Sequence, residues 1–356
     1  MKLPADERPW LLYGATGYTG ELIAREAVRR GMRPILAGRS RSRIEKLAKE
    51  LGCPHAVFAL DDHTSMLSSM ENVSAVLHCA GPFSATARSM MQACLASHVH
   101  YFDITGEIDV FELAHSVHEK AQRSGIVLCP GVGFDVVPTD CVALKLKEEL
   151  PDATHLTLGF DGGSGLSKGT AKTAMEAAGS GSKVRRDGKI VSLPLGSQTR
   201  QIDFGNGDRL TACIPWGDVS TAFYSTGIPN VEVFTSTSPA ALKRMQRANT
   251  MRPLLRRSLV KAFLRYVIDL RVDPPNEAQR KNNASLVFAE VRNAAGKSVS
   301  ARFRTANGYA LTVASALAIV TDVLARPRAP GFYTPSKLMG ADFVAALPGF
   351  AEIALP

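Results

Sequence analysis

The stretch that decides the fold is residues 10–20, which read WLLYGATGYTG. An apolar run, which predicts a strand, meets three glycines spaced three residues apart, Gly14, Gly17 and Gly20. The next residues, GELIAREAVRRG, have the pattern of an amphipathic helix, so the glycines lie in a tight strand-to-helix turn. In such a turn, the backbone N–H groups at the helix start face a bound pyrophosphate. The alternative is a tight turn without a ligand.

We predict that the whole loop contacts a dinucleotide. Its members are Gly14, Ala15, Thr16, Gly17, Tyr18, Thr19 and Gly20.

Up to residue 145, short apolar runs alternate with helical patterns, and the strands are continuously apolar. This alternation predicts an α/β fold, a doubly wound parallel Rossmann sheet covered on both faces. Residues 146–308 contain short strands punctuated by Gly, Pro, Asn and Asp, with a hairpin over 285–308, and predict a second α+β domain with a mixed or antiparallel sheet. An apolar helix and a tail occupy residues 309–356.

The end of the second strand indicates which dinucleotide binds. NAD-binding chains usually place an acidic residue there for the ribose 2′-hydroxyl, but this chain reads ILAGRSRSR. Arg39, Ser40 and Arg43 lie where a 2′-phosphate would bind, and guanidinium groups suit phosphate oxygens. Basic residues at a helix start also oppose the helix dipole unless an anion is near. We therefore predict NADP(H); the alternative is a solvated basic helix start.

The loops after the later strands extend the predicted cofactor site. Ligands of open α/β sheets lie beyond the carboxyl ends of the strands. Asp61 follows the third strand and is placed near the adenine. The remaining predicted contacts follow the fourth and fifth strands and are Ala80, Gly81, Pro82, Thr105 and Gly106.

Composition excludes several classes of protein. The 356 residues carry a net charge of +9, but the charge is spread along the chain and resembles no nucleic-acid module. The six cysteines form no CxxC pair and no zinc spacing, so we predict no metal site and buried, reduced thiols. No apolar run reads as a transmembrane helix or a secretion signal, and we expect a cytoplasmic protein.

These motifs together resemble the saccharopine dehydrogenase-like oxidoreductases, a family that includes trans-acting enoyl reductases serving polyketide synthases. The resemblance rests on YGATGYTG, AGRS, AGPF, YFDITGE, PGVGFDVVPTD and LSKGTAKTAMEA, and extends to NGYALT and YTPSKLMG. It implies a nucleotide domain interrupted by a substrate domain, with the C-terminal helix and tail returning to the nucleotide domain. It does not imply a substrate.

Three residues are candidates for proton transfer in a nicotinamide enzyme: Lys168, Glu107 and Asp135. Lys168 opens a helix in a Gly/Ser-rich segment, and the alternative is an exposed lysine. Glu107 and its neighbour Asp103 flank a turn at the end of the fifth strand, and the alternative is a carboxylate that caps a loop. For Asp135 the alternative is a cap of the helix that begins near Val137 or Thr139.

The expected function is reduction of a small or acyl-type substrate by NADPH. A non-catalytic NADP(H) sensor is the main alternative, because no proton donor stands out. A third hypothesis is a peripheral membrane protein, based on the basic amphipathic helix predicted over 255–267. This helix could bind an anionic membrane or an acidic partner. The alternative is a surface helix that packs on its own domain. A homodimer is a further expectation.

Overall fold

The structure is a computed structural model that describes residues 9–162, 181–255, 260 and 284–353. The chain forms two compact units, one of Met1–Phe134 with Thr312–Leu338 and one of Asp135–Leu311 with Met339–Pro356. The C-terminal helix thus joins the first unit for most of its length. The tail after Leu338 belongs to the second unit, because its short last strand pairs with a strand there.

Strands and helices alternate along the first 129 residues: β1 (Trp10–Tyr13), α1 (Tyr18–Arg29), β2 (Ile35–Gly38), α2 (Arg41–Leu51), β3 (His55–Val57), α3 (His63–Ser68), β4 (Ala75–His78), α4 (Phe83–Ser97), β5 (His100–Asp103), α5 (Ile108–Ser116), α6 (His118–Arg123) and β6 (Val127–Cys129). Helix α2 ends at Gly52 with a φ of 63°, a left-handed cap that glycine adopts without strain. The sequence predicts one helix over 109–125, whereas the structure has two that meet at Val117.

Strands dominate the second unit, and the chain continues as α7 (Val137–Glu149), β7 (Ala153–Gly162), β8 (Ser182–Arg186), β9 (Lys189–Leu193), β10 (Thr199–Asp203), β11 (Asp208–Cys213), α8 (Asp218–Thr226), β12 (Asn230–Ser236), α9 (Pro239–Leu255), β13 (Ser285–Asn293) and β14 (Ser298–Thr305). The C-terminal elements are α10 (Gly308–Ala325), β15 (Gly331–Phe332), α11 (Pro335–Met339), a 3-10 helix (Ala341–Ala346) and β16 (Ala351–Glu352).

The first sheet is parallel and has seven strands in the order β15-β6-β5-β4-β1-β2-β3. Strands β1 and β4 are neighbours in the sheet although β2 and β3 lie between them in the sequence. The strand order therefore reverses there, and this is the point where doubly wound sheets bind their ligand. All four residues of β1 and all four of β4 are buried, as expected for a sheet covered on both faces.

The second sheet is mixed and has nine strands, with the order β10-β11-β12-β7-β13-β14-β16 and with β8 paired to β12 and β9. Strands β7 and β12 are parallel, whereas β13 and β14 form the predicted antiparallel hairpin. Helices α7 and α8 contact this sheet, in which Leu158 and Val291 are fully buried. A doubly wound parallel sheet followed by a mixed-sheet α+β unit confirms the predicted fold class.

Helix α10 is long and apolar enough to cross a membrane by length and composition alone, and no other helix among the described residues is. Over half of it, 56%, is buried inside the protein, as in the core helix of a folded domain. All six cysteines are free thiols, and all but Cys79 are buried.

Candidate cofactor-binding site

The turn after β1 requires glycine at two positions. Gly14 has a φ of +80°, and a Cβ there would lie 2.9 Å from the backbone nitrogen of Ala80. A Cβ at Gly20 would lie 2.2 Å from the carbonyl oxygen of Gly14. The Gly14 amide donates to the carbonyl of Ala37 at 2.8 Å, which fixes the turn to strand β2. The glycines therefore hold the first turn of α1 against the carboxyl end of the sheet.

The N-terminus of α1 has the features of an anion site. Gly17 is its N-cap residue and is exposed, and no side chain caps the helix there. The acidic residue of the first turn, Glu21, accepts from Arg25 at 2.8 and 3.0 Å. Helix N-termini present amide groups and a positive dipole to an anion. Because no side chain occupies the cap and glycine leaves room for close approach, this loop fits a pyrophosphate.

The three arginines after β2 differ in their contacts. Arg43 donates a hydrogen bond to the carbonyl of Thr16, so it is tied to the glycine loop. Arg41 pairs with Glu45 at 3.1 Å on the exposed side of α2. Arg39 is exposed and makes no hydrogen bond or ion pair with any residue that the structure describes. Of the three, Arg39 is the guanidinium most available to a 2′-phosphate.

Arg39 lies near the end of β1. Burial raises the pKa of Tyr13 to about 12, and the charge of Arg39 acts on it in the opposite direction. The Tyr13 hydroxyl donates to the carbonyl of Phe58 at 3.2 Å. Ser40 is the N-cap residue of α2, and its hydroxyl makes no capping hydrogen bond. The predicted pair Arg39 and Ser40 thus stands at the uncapped start of α2, beside the end of β1.

The two carboxylates after β3 have different positions. Asp62 caps α3 by accepting from the Ser65 amide at 3.1 Å, and this hydrogen bonding lowers the pKa of Asp62. Asp61, the predicted adenine contact, is exposed and close enough to Tyr13 for its charge to act on that phenol.

The loop after β4 contains Ala80, Gly81 and Pro82, and the Gly81–Pro82 bond is cis. The Thr86 hydroxyl fixes this loop, since it lies 2.8 Å from the Ala80 carbonyl and 3.1 Å from the Pro82 carbonyl. His78 lies behind the loop with its Nε2 atom 3.0 Å from the Thr86 hydroxyl. Burial lowers the pKa of His78 to about 3, so the imidazole is neutral and acts as a structural group.

Glu107 binds the start of α4. One carboxylate oxygen accepts from the Phe83 amide at 2.9 Å and the other from the Ser84 amide at 2.7 Å. A carboxylate at a helix N-terminus satisfies unpaired amides and complements the helix dipole. Glu107 is thereby engaged as a cap, which favours the structural alternative over proton transfer.

Asp103 is fully buried at the end of β5 and connects two loops. It accepts from the Tyr101 hydroxyl at 2.6 Å and from the amides of Thr105 and Gly131 at 2.9 Å each. Burial raises the pKa of Asp103 to about 6 despite these donors. Thr105, also fully buried, accepts from the Glu107 amide at 3.0 Å and continues the loop into Gly106. Asp103 therefore positions the loops that follow β5 and β6.

The remaining candidates belong to the second unit. Asp135 accepts a hydrogen bond at its carbonyl from Trp216 Nε1 at 2.6 Å. Asp135 precedes Val136, which is the N-cap residue of α7. Lys168 lies outside the described residues, and so does the basic segment after Leu255 apart from residue 260.

Sequence reasoning missed Asp218, the first residue of α8. It is fully buried, and burial raises its pKa well above the ordinary range of a carboxyl. The neighbouring charge of Asp140, which is hydrogen-bonded to Ser225, acts in the same direction. A single Asp in IPWGDVST is a common helix-start pattern, so no signal in the sequence distinguished it from an exposed cap.

Comparisons with known proteins agree with this geometry. Residues 10–129 match the family model described as saccharopine dehydrogenase NADP binding domain. The human saccharopine dehydrogenase-like oxidoreductase is 27% identical over 219 residues, which cover 54% of this chain and 51% of that protein. A putative trans-acting enoyl reductase of Mycobacterium tuberculosis is 30% identical over 188 residues, 47% of this chain and 43% of that protein.

The chain spans about half the length of the curated relatives it matches first. Among solved structures, apo saccharopine dehydrogenase (L-Glu forming) from Saccharomyces cerevisiae is similar with a TM-score of 0.61 and 12% identity, covering 93% of this chain and 95% of that chain. At 12% identity, this similarity is evidence for the fold alone. The predictions of the resemblance and of an NADP-binding domain are confirmed by these matches.

Proposed function

We propose that the protein is an NADP(H)-dependent reductase of a small or acyl-type substrate, on the premise that residues 10–129 match the model of the saccharopine dehydrogenase NADP binding domain. The observation that carries the proposal is the pairing of an uncapped helix start behind Gly14 and Gly20 with the unpaired guanidinium of Arg39. The first feature suits a pyrophosphate and the second a 2′-phosphate.

Bound NADPH supplies the hydride of the reaction. The amides at the start of α1 would hold the pyrophosphate, and Arg39 with Ser40 would receive the 2′-phosphate. Arg43 holds the glycine loop through the Thr16 carbonyl. The backbone from Ala80 to Pro82, which is fixed by Thr86, would border the ribose and nicotinamide.

A proton donor must complete the reduction, and three residues were expected for it. Glu107 already accepts an amide hydrogen bond at each carboxylate oxygen, so both oxygens take part in capping α4. Asp135 and Lys168 are the remaining candidates of that set. We propose that one of these two donates the proton, with Lys168 the better suited to an anionic intermediate because an ammonium group stabilises developing negative charge.

An enoyl group on a carrier protein is the second candidate substrate. It is favoured by the 30% identity to the putative trans-acting enoyl reductase. The basic segment over 255–267 would then serve to meet an acidic carrier domain.

The proposal is tested by following the decrease in NADPH absorbance while the protein is incubated with each class of substrate. An enoyl thioester presented both free and on an acyl-carrier domain, and an imino acid, are the substrates to compare. We expect steady oxidation of NADPH with one of these substrate classes. Deuterium from labelled NADPH should then appear in the product. Tight NADPH binding with no turnover of any class would contradict reduction and support the non-catalytic sensor.

A further inference from the structure

The second sheet carries a polar cavity of about 240 Å³ on one of its faces. One row of its lining crosses three adjacent strands, with Asn230 of β12 beside His155 of β7 and His155 beside Arg292 of β13. This row lies at the ends of the strands, since Asn230 is the first residue of β12 and Arg292 is the next-to-last residue of β13. His155 and Arg292 are exposed, so the row is a surface that meets water or a polar ligand.

A second row lies deeper along the same strands and consists of Glu232, Thr157 and Glu290. Each glutamate is neutralised by an arginine from another strand. Arg186 of β8 pairs with Glu232, and Arg200 of β10 pairs with Glu290 at 2.8 Å. Arg200 also donates to the Thr157 hydroxyl at 3.1 Å, so the floor of the cavity is a connected and satisfied network.

The cavity is the open end of a rolled sheet. Strand β10 pairs only with β11 among the described strands, yet its Arg200 reaches Glu290 on β13, although three strands lie between β10 and β13 in the sheet order. A Cβ on Gly159 of β7 would lie 3.2 Å from Ile202, also on β10. Strand β10 must therefore lie over the face of β7 and β13.

The inner end of this rolled sheet is closed by apolar side chains. Phe204, Phe234 and Phe288 belong to one buried cluster with Ile202. Mouths of such closed or half-closed sheets are frequent ligand sites, and cavities for drug-sized ligands span roughly 300–1,000 Å³. A cavity below that range suits a ligand of a few carbon atoms.

The charge in the lining that has no partner among the described residues is that of Arg292, at the mouth of the cavity. Arg292 is exposed, and its guanidinium makes no hydrogen bond or ion pair within the described part of the chain. His155 uses Nδ1 with the Thr154 hydroxyl at 3.0 Å, which leaves Nε2 on the side of the ring away from that contact. Three arginines face two glutamates in the lining, so one positive charge is in excess.

We propose that this cavity binds a small organic carboxylate, held at the mouth by Arg292 and His155. A planar guanidinium binds a carboxylate through two parallel hydrogen bonds. The site belongs to the second unit and shares no residue with the nucleotide loops, so it goes beyond the proposed reduction and is tested separately from it.

The test is a titration of the full-length protein with propionate at low ionic strength, followed by saturation-transfer NMR of the ligand. We expect saturable binding that Arg292→Ala weakens at least about tenfold, which corresponds to about 1.4 kcal/mol. Arg304→Ala is the matched control, because Arg304 is an exposed arginine on β14 that does not line the cavity. The control should bind propionate like the wild type.

Three results would overturn the proposal. The first is propionate binding that is absent in the wild type or unchanged by Arg292→Ala. The second is displacement of propionate by an equal concentration of inorganic sulfate, which would mean a site for any anion. The third is sedimentation of the wild type as a dimer that Arg292→Glu dissociates, which would assign this face to a second copy of the chain.

Discussion

Gly20 and Gly14 are packed so closely that a methyl group on Gly20 would lie 2.2 Å from the carbonyl oxygen of Gly14. No real Cβ tolerates that separation, and the obstructing atom is backbone, which cannot rotate away. The contact fixes where α1 begins relative to the end of β1. The helix start at Gly17, on which the proposed pyrophosphate site depends, lies between these two glycines.

Gly20→Ala should therefore destabilise the protein and impair cofactor binding together. Overpacking against a well-packed core typically costs 1–3 kcal/mol, and we expect about 3 kcal/mol here because the clash is with backbone. Urea denaturation and NADPH titration measure the two effects. Gly162→Ala is the control, since a Cβ there meets nothing within 4 Å and the backbone is not left-handed. Equal stability of the two variants would contradict the packing argument.

Arg43→Ala should weaken NADPH and NADH binding by similar factors. Arg43 is bound to the Thr16 carbonyl and supports the glycine loop, which both cofactors share. Loss of one hydrogen bond from a charged donor costs about 1.5–3 kcal/mol at most, so a loss of about tenfold for each cofactor is expected. Calorimetric titration with both cofactors is the measurement. A loss confined to NADPH would instead place Arg43 on the 2′-phosphate, as the sequence alone suggested.

Glu107→Ala should lower the free energy of unfolding by about 1–2 kcal/mol, the usual cost of losing a helix cap. Glu107→Gln should recover part of this loss, because an amide oxygen can still accept from the Phe83 or Ser84 amide. Urea denaturation of the two variants measures both values. A Glu107→Ala protein as stable as the wild type would show that these hydrogen bonds contribute nothing, and proton transfer would again be the better account of this residue.

Asp103 should make stability depend on pH. Its pKa is raised to about 6 in the folded protein, above the value near 3.9 of an unfolded chain. The folded state therefore binds this proton more tightly, and the resulting stabilisation is complete below about pH 4 and is lost as the pH rises through about 6. A shift of about two units corresponds to roughly 3 kcal/mol.

Comparison with Asp103→Asn isolates this effect, because the amide does not titrate. The stability of the wild type relative to the variant should fall between about pH 4 and pH 7, as measured by urea denaturation at each pH. Parallel curves over that range would mean that Asp103 has an ordinary pKa in the folded protein.

The parallel sheet could be predicted because its strands are continuous apolar runs and its turns carry glycine at fixed spacing. These are local signals, and the glycine loop after β1 is the clearest of them. The separation of α5 from α6 was missed, since Val117 between them is an ordinary residue in a helical pattern.

The contacts of individual side chains could not be predicted, because they join chain segments that are far apart in the sequence. Glu107 caps a helix that begins 24 residues earlier. Arg39 and Arg43 look equivalent in ILAGRSRSR, but only Arg43 reaches the glycine loop. The cavity of the second sheet depends on β10 lying over β7, which no local pattern encodes.

The central claim is that Arg39 selects NADP(H) through the 2′-phosphate. Its most direct test is the ratio of NADH to NADPH dissociation constants for the wild type, Arg39→Ala and the control Arg41→Ala, whose arginine is paired with Glu45. We predict a strong wild-type preference for NADPH that Arg39→Ala reduces by about tenfold to a hundredfold, with NADH affinity unchanged and Arg41→Ala like the wild type. Equal affinity of the wild type for the two cofactors, or an undiminished preference in Arg39→Ala, would contradict the claim.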